Sequence, residues 1–277
     1  MPIPASGFEH RTDTAPPLLP ALVETRGLIK EYPSASGVTR VVDNVSFGIQ
    51  PGETLGLVGE SGSGKSTVAR MLLRLIEPTA GDVFFEGRPL PPASSTAMRA
   101  LRRRVQIVFQ DPYAALNPRM TVRQVLAEPF AIHREPPPEG LPTRLRELLA
   151  CVGLDNSALP RYPHEFSGGQ RQRINIARAL ALNPRFLVLD EPVSALDVSV
   201  GAQVINLLRD LQRKLGLTYL FISHSMPLVR YLCDRVAVMQ RGRIVEIGGC
   251  IQVCERPRNP YTQQLIAATP EMPVTGH

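Results

Sequence analysis

Residues Gly59 to Thr67 read GESGSGKST, and their types and spacing suit them to holding phosphate. Gly59, Gly64, Lys65 and Ser66 satisfy the pattern G-x-x-x-x-G-K-[ST]. Glycines let the backbone curl until successive N–H groups face one concavity, which suits phosphate oxygens. Glu60, Ser61, Gly62 and Ser63 fill the curl, and Thr67 follows it. Lys65 is a compact charge for β- and γ-phosphates, and the Ser66 hydroxyl is a ligand for Mg²⁺. A second chemical pair, Asp190 and Glu191, closes the apolar run FLVLDE. A buried strand ending in a carboxylate beside such a loop places Asp190 to hold Mg²⁺. Glu191 is then placed to polarise an attacking water as general base.

The elements that must position these groups are legible around them. TLGLVG, before the loop, is a short apolar run that reads as a buried parallel strand. STVARMLLRLI, after it, has helical periodicity, so phosphate would sit at a helix N-terminus. ALVETRGLIKEY and TRVVDNVSFGIQ are strand-like, VFFEG is a short strand, and Ser94 to Arg104 reads as a basic helix. VQIVF is expected to be a buried strand leading into the polar loop QDPYAALNPRM. Thr121 to Ile132 and Thr143 to Val152 read as amphipathic helices joined by the exposed connector HREPPPEGLP. FSGGQRQRINIARALAL opens on Ser and two Gly and continues as a helix. VSVGAQVINLLRDLQRKLG is a long helix, LTYLFISH a strand, and RVAVMQRGRIVEIG a hairpin around Arg241-Gly242. Alternating strands and helices predict an α/β fold with a mainly parallel sheet.

Composition narrows the classes. The chain has 277 residues, 43 % of them hydrophobic, enough for a core of one large domain with a subdomain. No apolar run approaches the roughly 20 residues of a membrane span. The start, MPIPASGFEHRTDTAPPLLP, lacks an apolar signal-peptide region and reads as a flexible tail, so a soluble intracellular protein is expected. The net charge of +6 is nearly all arginine, since only Lys30, Lys65 and Lys214 are lysines. These arginines are scattered, without an aromatic-interleaved patch, so no nucleic-acid partner is expected. Where arginine is the default cation, a lysine at position 65 suggests that a point charge is needed there. Cys151, Cys233, Cys250 and Cys254 form no metal-ligand spacing and read as buried or incidental thiols.

With these motifs in order, the chain resembles the ATP-binding subunit of an ABC transporter. The string FSGGQ at Phe166 to Gln170 resembles the LSGGQ signature with Phe for Leu, upstream of LVLDEP as in that family. The resemblance covers roughly residues 21–265. It implies a P-loop NTPase core of RecA-like type with a small antiparallel β subdomain and an inserted α-helical subdomain. On that reading residues 1–20 are a flexible tail and 21–277 the ATPase domain. Within it, 21–109 and 166–250 form the nucleotide-binding core, 110–165 the helical subdomain, and 251–277 a C-terminal tail.

The resemblance also implies roles. Gln110 sits in the Q-loop position, to sense Mg²⁺ and γ-phosphate. Ser194 to Asp197 resembles the D-loop, with Asp197 at the dimer interface. His224 resembles the switch histidine, although Ser225 stands where the family often has an acid. Tyr32 matches the aromatic that stacks on adenine. ATP would lie between the P-loop of one subunit and Ser167, Gly168, Gly169 and Gln170 of a second ATPase subunit. The strings VQIVFQDPYAALNPRMTV and NPYTQQLIAATP are similar to the dipeptide, oligopeptide and nickel importer branch. That implies two integral-membrane permeases, an extracytoplasmic solute-binding protein acting indirectly, and a peripheral place on the cytoplasmic face of the inner membrane. An exporter ATPase, and a soluble ABC-type ATPase working on nucleic acid, are the alternatives.

Overall fold

The computed structural model describes residues 20–34 and 37–268. The tail expected over 1–20 lies outside them apart from Pro20, as does the segment from 269 onward. Two sheets carry the described chain. A four-stranded antiparallel sheet runs in the order β2-β1-β4-β5, formed by β1 (Val23–Ser34), β2 (Gly37–Ile49), β4 (Ala80–Phe85) and β5 (Arg88–Pro89). A six-stranded sheet contains β3 (Thr54–Val58), β6 (Val105–Val108), β7 (Phe186–Asp190), β8 (Thr218–Ser223), β9 (Arg235–Gln240) and β10 (Arg243–Gly249). Its order is β10-β9-β3-β8-β7-β6, and every pair is parallel except β9 with β10. The mainly parallel α/β architecture is therefore as the sequence predicts.

The apolar runs explain this sheet. All five residues of β3 and all six of β8 are buried, as strands covered on both faces must be. Side chains alternate across the pleat, so β8 feeds two cores. Tyr219 and Phe221 join a cluster with Leu126, Leu148 and Ile174 from the helical side. Leu220 and Ile222 join the other, with Leu28, Ile49 and Met71 between the two sheets. Strand β6 departs from the fully buried strand expected of VQIVF. Only Val105 and Val108 are buried, because β6 is the sheet's edge.

The helix α1 (Lys65–Leu72) ends earlier than its periodicity suggests. Arg74 turns left-handed at φ 50, and the Leu75 N–H returns to the Arg70 carbonyl at 2.9 Å. That reversal closes the last turn as a glycine C-cap would. After α2 (Thr96–Leu101), the β6–β7 crossover holds α3 (Pro112–Ala115), α4 (Val122–His133), α5 (Leu141–Cys151) and α6 (Gly168–Leu180). Helix α4 starts in a capping box between Thr121 and Gln124. Helix α7 (Val198–Leu215) crosses from β7 to β8, and α8 (Met226–Leu232) from β8 to β9. The stretch read as a C-terminal tail carries α9 (Cys250–Glu255) and α10 (Pro260–Ala267).

Candidate active site at the strand ends

Strands β3, β8, β7 and β6 lie side by side and run in one direction. Their C-terminal ends lead to Gly59–Thr67, His224, Asp190 with Glu191, and Gln110 respectively. In an open parallel sheet that edge is where a ligand binds. One rigid, doubly covered sheet thus collects groups that lie far apart in the chain.

The loop after β3 needs glycine at two positions. Gly59 has φ 151, and a Cβ there would stand 2.1 Å from the Met239 carbonyl oxygen. Gly64 has φ 104 and would press a Cβ to 2.7 Å from the Val41 carbonyl oxygen. Gly64 is also the N-cap of α1 and supplies no capping side chain. The Val68 N–H bonds back to the Gly64 carbonyl at 3.0 Å, so the earlier amides of α1 have no intrahelical acceptor. Open amides at a helix start are an anion site. Lys65, only 6 % exposed, donates to the carbonyls of Gly59 (2.8 Å) and Glu60 (2.7 Å) and to Ser63 Oγ (3.4 Å). Burial lowers its pKa, and the nearby Glu191, Asp190 and Glu60 carboxylates oppose that shift. The Gly242 N–H ties the β9–β10 turn to the Ser63 carbonyl at 3.0 Å.

Ser66 Oγ donates to Asp190 Oδ1 at 3.2 Å. Burial raises the Asp190 pKa; the Ser66 hydrogen bond pulls it down and the Glu191 charge pushes it up further. Among the described residues Asp190 has no ion pair. A desolvated carboxylate beside a hydroxyl offers hard oxygen donors, which fits Mg²⁺. Glu191 sits one residue on, with φ 47, a left-handed backbone uncommon for a side chain of this size. That turn carries its carboxylate out of the sheet. Glu191 Oε2 accepts from Gln110 Nε2 at 3.2 Å and lies 3.3 Å from His224 Nδ1. Three loops therefore converge on one carboxylate oxygen.

Other predicted residues lie outside this hydrogen-bonded cluster. Ser167 caps α6 in a capping box, accepting from the Gln170 N–H at 3.3 Å while Gln170 Oε1 accepts from the Ser167 N–H at 3.1 Å. A Cβ on Gly169 would meet Val200 Cγ1 at 2.3 Å, and one on Gly168 would meet Leu196 Cδ2 at 3.2 Å. Among the described residues, no hydrogen bond joins this cap to Gly59–Thr67. Asp197 begins α7 with its side chain exposed and making no cap bond. Tyr32 pairs with Thr39 in the β1–β2 hairpin, is 37 % exposed, and has Lys30 Nζ 5.1 Å above its ring.

Two participants escape the sequence reading. Gln172, fully buried, donates to the Pro192 carbonyl at 2.7 Å and so links α6 to the loop after Glu191. Tyr261, in the NPYT string, accepts from the Glu60 N–H at 3.2 Å through its hydroxyl. A buried polar residue in an amphipathic helix hints at the first. Nothing local announces the second.

Comparison with known proteins agrees with this geometry. A family profile described as ABC transporter matches residues 42–194. A Brucella ovis protein named as a peptide import ATP-binding protein is 54 % identical over 255 residues, covering 90 % of this chain and 78 % of its own. The glutathione import ATP-binding protein GsiA of Escherichia coli is 50 % identical over 281 residues, covering 96 % of this chain and 45 % of its own. Among solved structures, cbiO1 of Clostridium perfringens, part of an ABC transporter complex, superposes with TM-score 0.75 at 29 % identity over 86 % of this chain and 93 % of its own. A dimeric ATP-binding cassette in a post-hydrolysis state with ADP and Pi superposes with TM-score 0.74 at 28 % identity, over 82 % and 98 %. Carrying the strand-end cluster, this fold and these relatives, the chain belongs to the ABC transporter family, among its nucleotide-binding ATPase cassettes.

Proposed function

We propose that this chain is the ATP-hydrolysing subunit of an ABC importer whose cargo is di- or oligopeptide. The observation that carries the reading is the convergence of Lys65, Ser66, Asp190, Glu191, Gln110 and His224 on the ends of four adjacent strands. Loop amides between Ser61 and Thr67 and the Lys65 ammonium hold the phosphates of ATP, and Tyr32 stacks on the adenine. Ser66, Asp190 and the Gln110 amide hold Mg²⁺, which supplies neutralising charge at the phosphate oxygens. Glu191 takes a proton from water as the water oxygen attacks the γ-phosphorus and the bond to the β-phosphate oxygen breaks, giving ADP and inorganic phosphate. Gln110 and His224, both against Glu191 Oε2, hold that carboxylate in place.

The α6 cap, with its Ser167 hydroxyl and first-turn glycine amides, meets the γ-phosphate of a second cassette, and Asp197 lies at the same contact. Residues 110–165 act as a helical subdomain against the core at 21–109 and 166–250. Phe109 and Tyr113, 41 % and 62 % exposed beside Gln110, suit contact with a membrane permease. Among the described residues no helix is long and apolar enough to cross a membrane. Docking on two permeases places the chain at the cytoplasmic face of the inner membrane, with a solute-binding protein choosing the cargo. A pull-down from detergent-solubilised membranes should recover two multi-span permeases and a second ATPase subunit. Recovery from the soluble fraction alone, with ribosomal or DNA-bound proteins, would overturn the importer reading.

A further inference from the structure

The C-terminal helix reaches the phosphate loop. Glu246 on β10 accepts the backbone N–H groups of Arg258 (2.9 Å) and Asn259 (3.1 Å). Burial raises the Glu246 pKa, but these bonds, with help from Thr262 and Gln252, outweigh it and leave the carboxyl below its ordinary value. Asn259 Oδ1 in turn caps α10 by accepting from the Tyr261 N–H at 2.9 Å. The buried Tyr261 ring, 7 % exposed, is thereby fixed with its hydroxyl 3.2 Å from the Glu60 nitrogen.

The peptide that Tyr261 grips is the one that anchors Lys65. Gly59 C=O and Glu60 N–H belong to a single planar trans unit and point in opposite directions. Lys65 Nζ donates to that carbonyl at 2.8 Å on one side, and Tyr261 accepts from that amide on the other. Gly59, at φ 151 and without a side chain, offers little resistance to rotation of this unit. We infer that Tyr261 is a positioning residue for ATP binding, acting through the Gly59–Glu60 peptide on Lys65; the inference rests on the ATPase reading above.

The test is Tyr261→Phe in the full chain, which keeps the ring and removes the acceptor. The expected result is a rise of about tenfold in the ATP Kd and in KM, with kcat within about twofold and an unchanged melting temperature. An unchanged KM would overturn the inference. So would a KM rise accompanied by parallel falls in kcat and melting temperature, which marks a merely structural role. If the Phe variant does not fold, Asn259→Ala decides, since it loosens the α10 cap and leaves the ring intact. A smaller KM rise supports the inference, and no rise overturns it. The wild-type chain and Lys65→Ala run alongside. A wild-type chain that neither binds nor hydrolyses ATP would sink the ATPase reading itself, a result distinct from a wild-type KM in Tyr261→Phe.

Discussion

Helices α1 and α6 both have glycines at or just before their first turn, yet they require them for different reasons. At α1 the need is conformational. Gly64 is left-handed, and its missing Cβ would strike backbone at the Val41 carbonyl as well as the Met239 methyl. At α6 neither Gly168 nor Gly169 has a positive φ. Their missing Cβ atoms would strike side chains of the following loop and helix, Leu196 and Val200. The first helix start is wired by Lys65 to the Gly59 and Glu60 carbonyls and by Ser66 to the Asp190 carboxylate, whereas the second is closed on itself by Ser167 and Gln170. The first start thus gathers open amides, a lysine and a carboxylate within one chain. The second is the cap proposed to meet the nucleotide of a second subunit.

The largest effect should fall on the wired side. Glu191→Gln removes the base and should lower kcat by about 10²–10⁴-fold, with ATP affinity retained in a nucleotide titration. Wild-type phosphate release by this variant would remove Glu191 from its role. Next comes the self-capped side. Ser167→Arg should cut turnover by about 10²-fold while the isolated subunit binds ATP as before. Untouched turnover would leave α6 with a capping role only.

The two kinds of glycine separate by rescue. Gly64→Ala and Gly169→Ala should each destabilise the chain by about 1–3 kcal/mol in denaturant melts. Val200→Ala should restore most of the loss in Gly169→Ala, because it removes the methyl that the new Cβ meets. Trimming Met239, whose methyl lies 2.8 Å from that Cβ, should leave most of the loss in Gly64→Ala, because the Val41 carbonyl and the left-handed φ remain. Equal rescue on both sides would erase the distinction.

The smallest effect concerns Asp190. Burial raises its folded pKa, so the ionised carboxylate disfavours the fold above that value, and the penalty fades as pH falls. Asp190→Asn should therefore raise the melting temperature of the nucleotide-free chain by a few degrees at most. The gain should be larger near pH 8 than near pH 5. A gain that grows toward acid would contradict this account of Asp190.

What the sequence made legible was whatever local pattern controls. The apolar runs of β3, β7 and β8 announced buried parallel strands, and GESGSGKST announced its own geometry, because glycine and lysine act there on neighbouring backbone. Most illegible features depend on partners distant in the chain, and the end of α1 depends on a backbone turn its residue types do not favour. VQIVF looks buried, but its place at the sheet edge leaves Gln106 and Ile107 half-exposed. The α1 periodicity runs past Leu72, but Arg74 accepts a left-handed turn with its Schellman-type bond. Gly169 reads as a helix-cap residue, and only the approach of Val200 shows its packing role. The Tyr261 bond to Glu60 spans 201 positions, beyond the reach of any periodicity.

The central claim is that the nucleotide site closes only between two cassettes. Light scattering of Glu191→Gln, with and without Mg²⁺ and ATP, tests it most directly. A doubling of mass that requires ATP, and that Ser167→Arg in the same background abolishes, is the predicted result. A chain that binds ATP and stays monomeric at every concentration would contradict it.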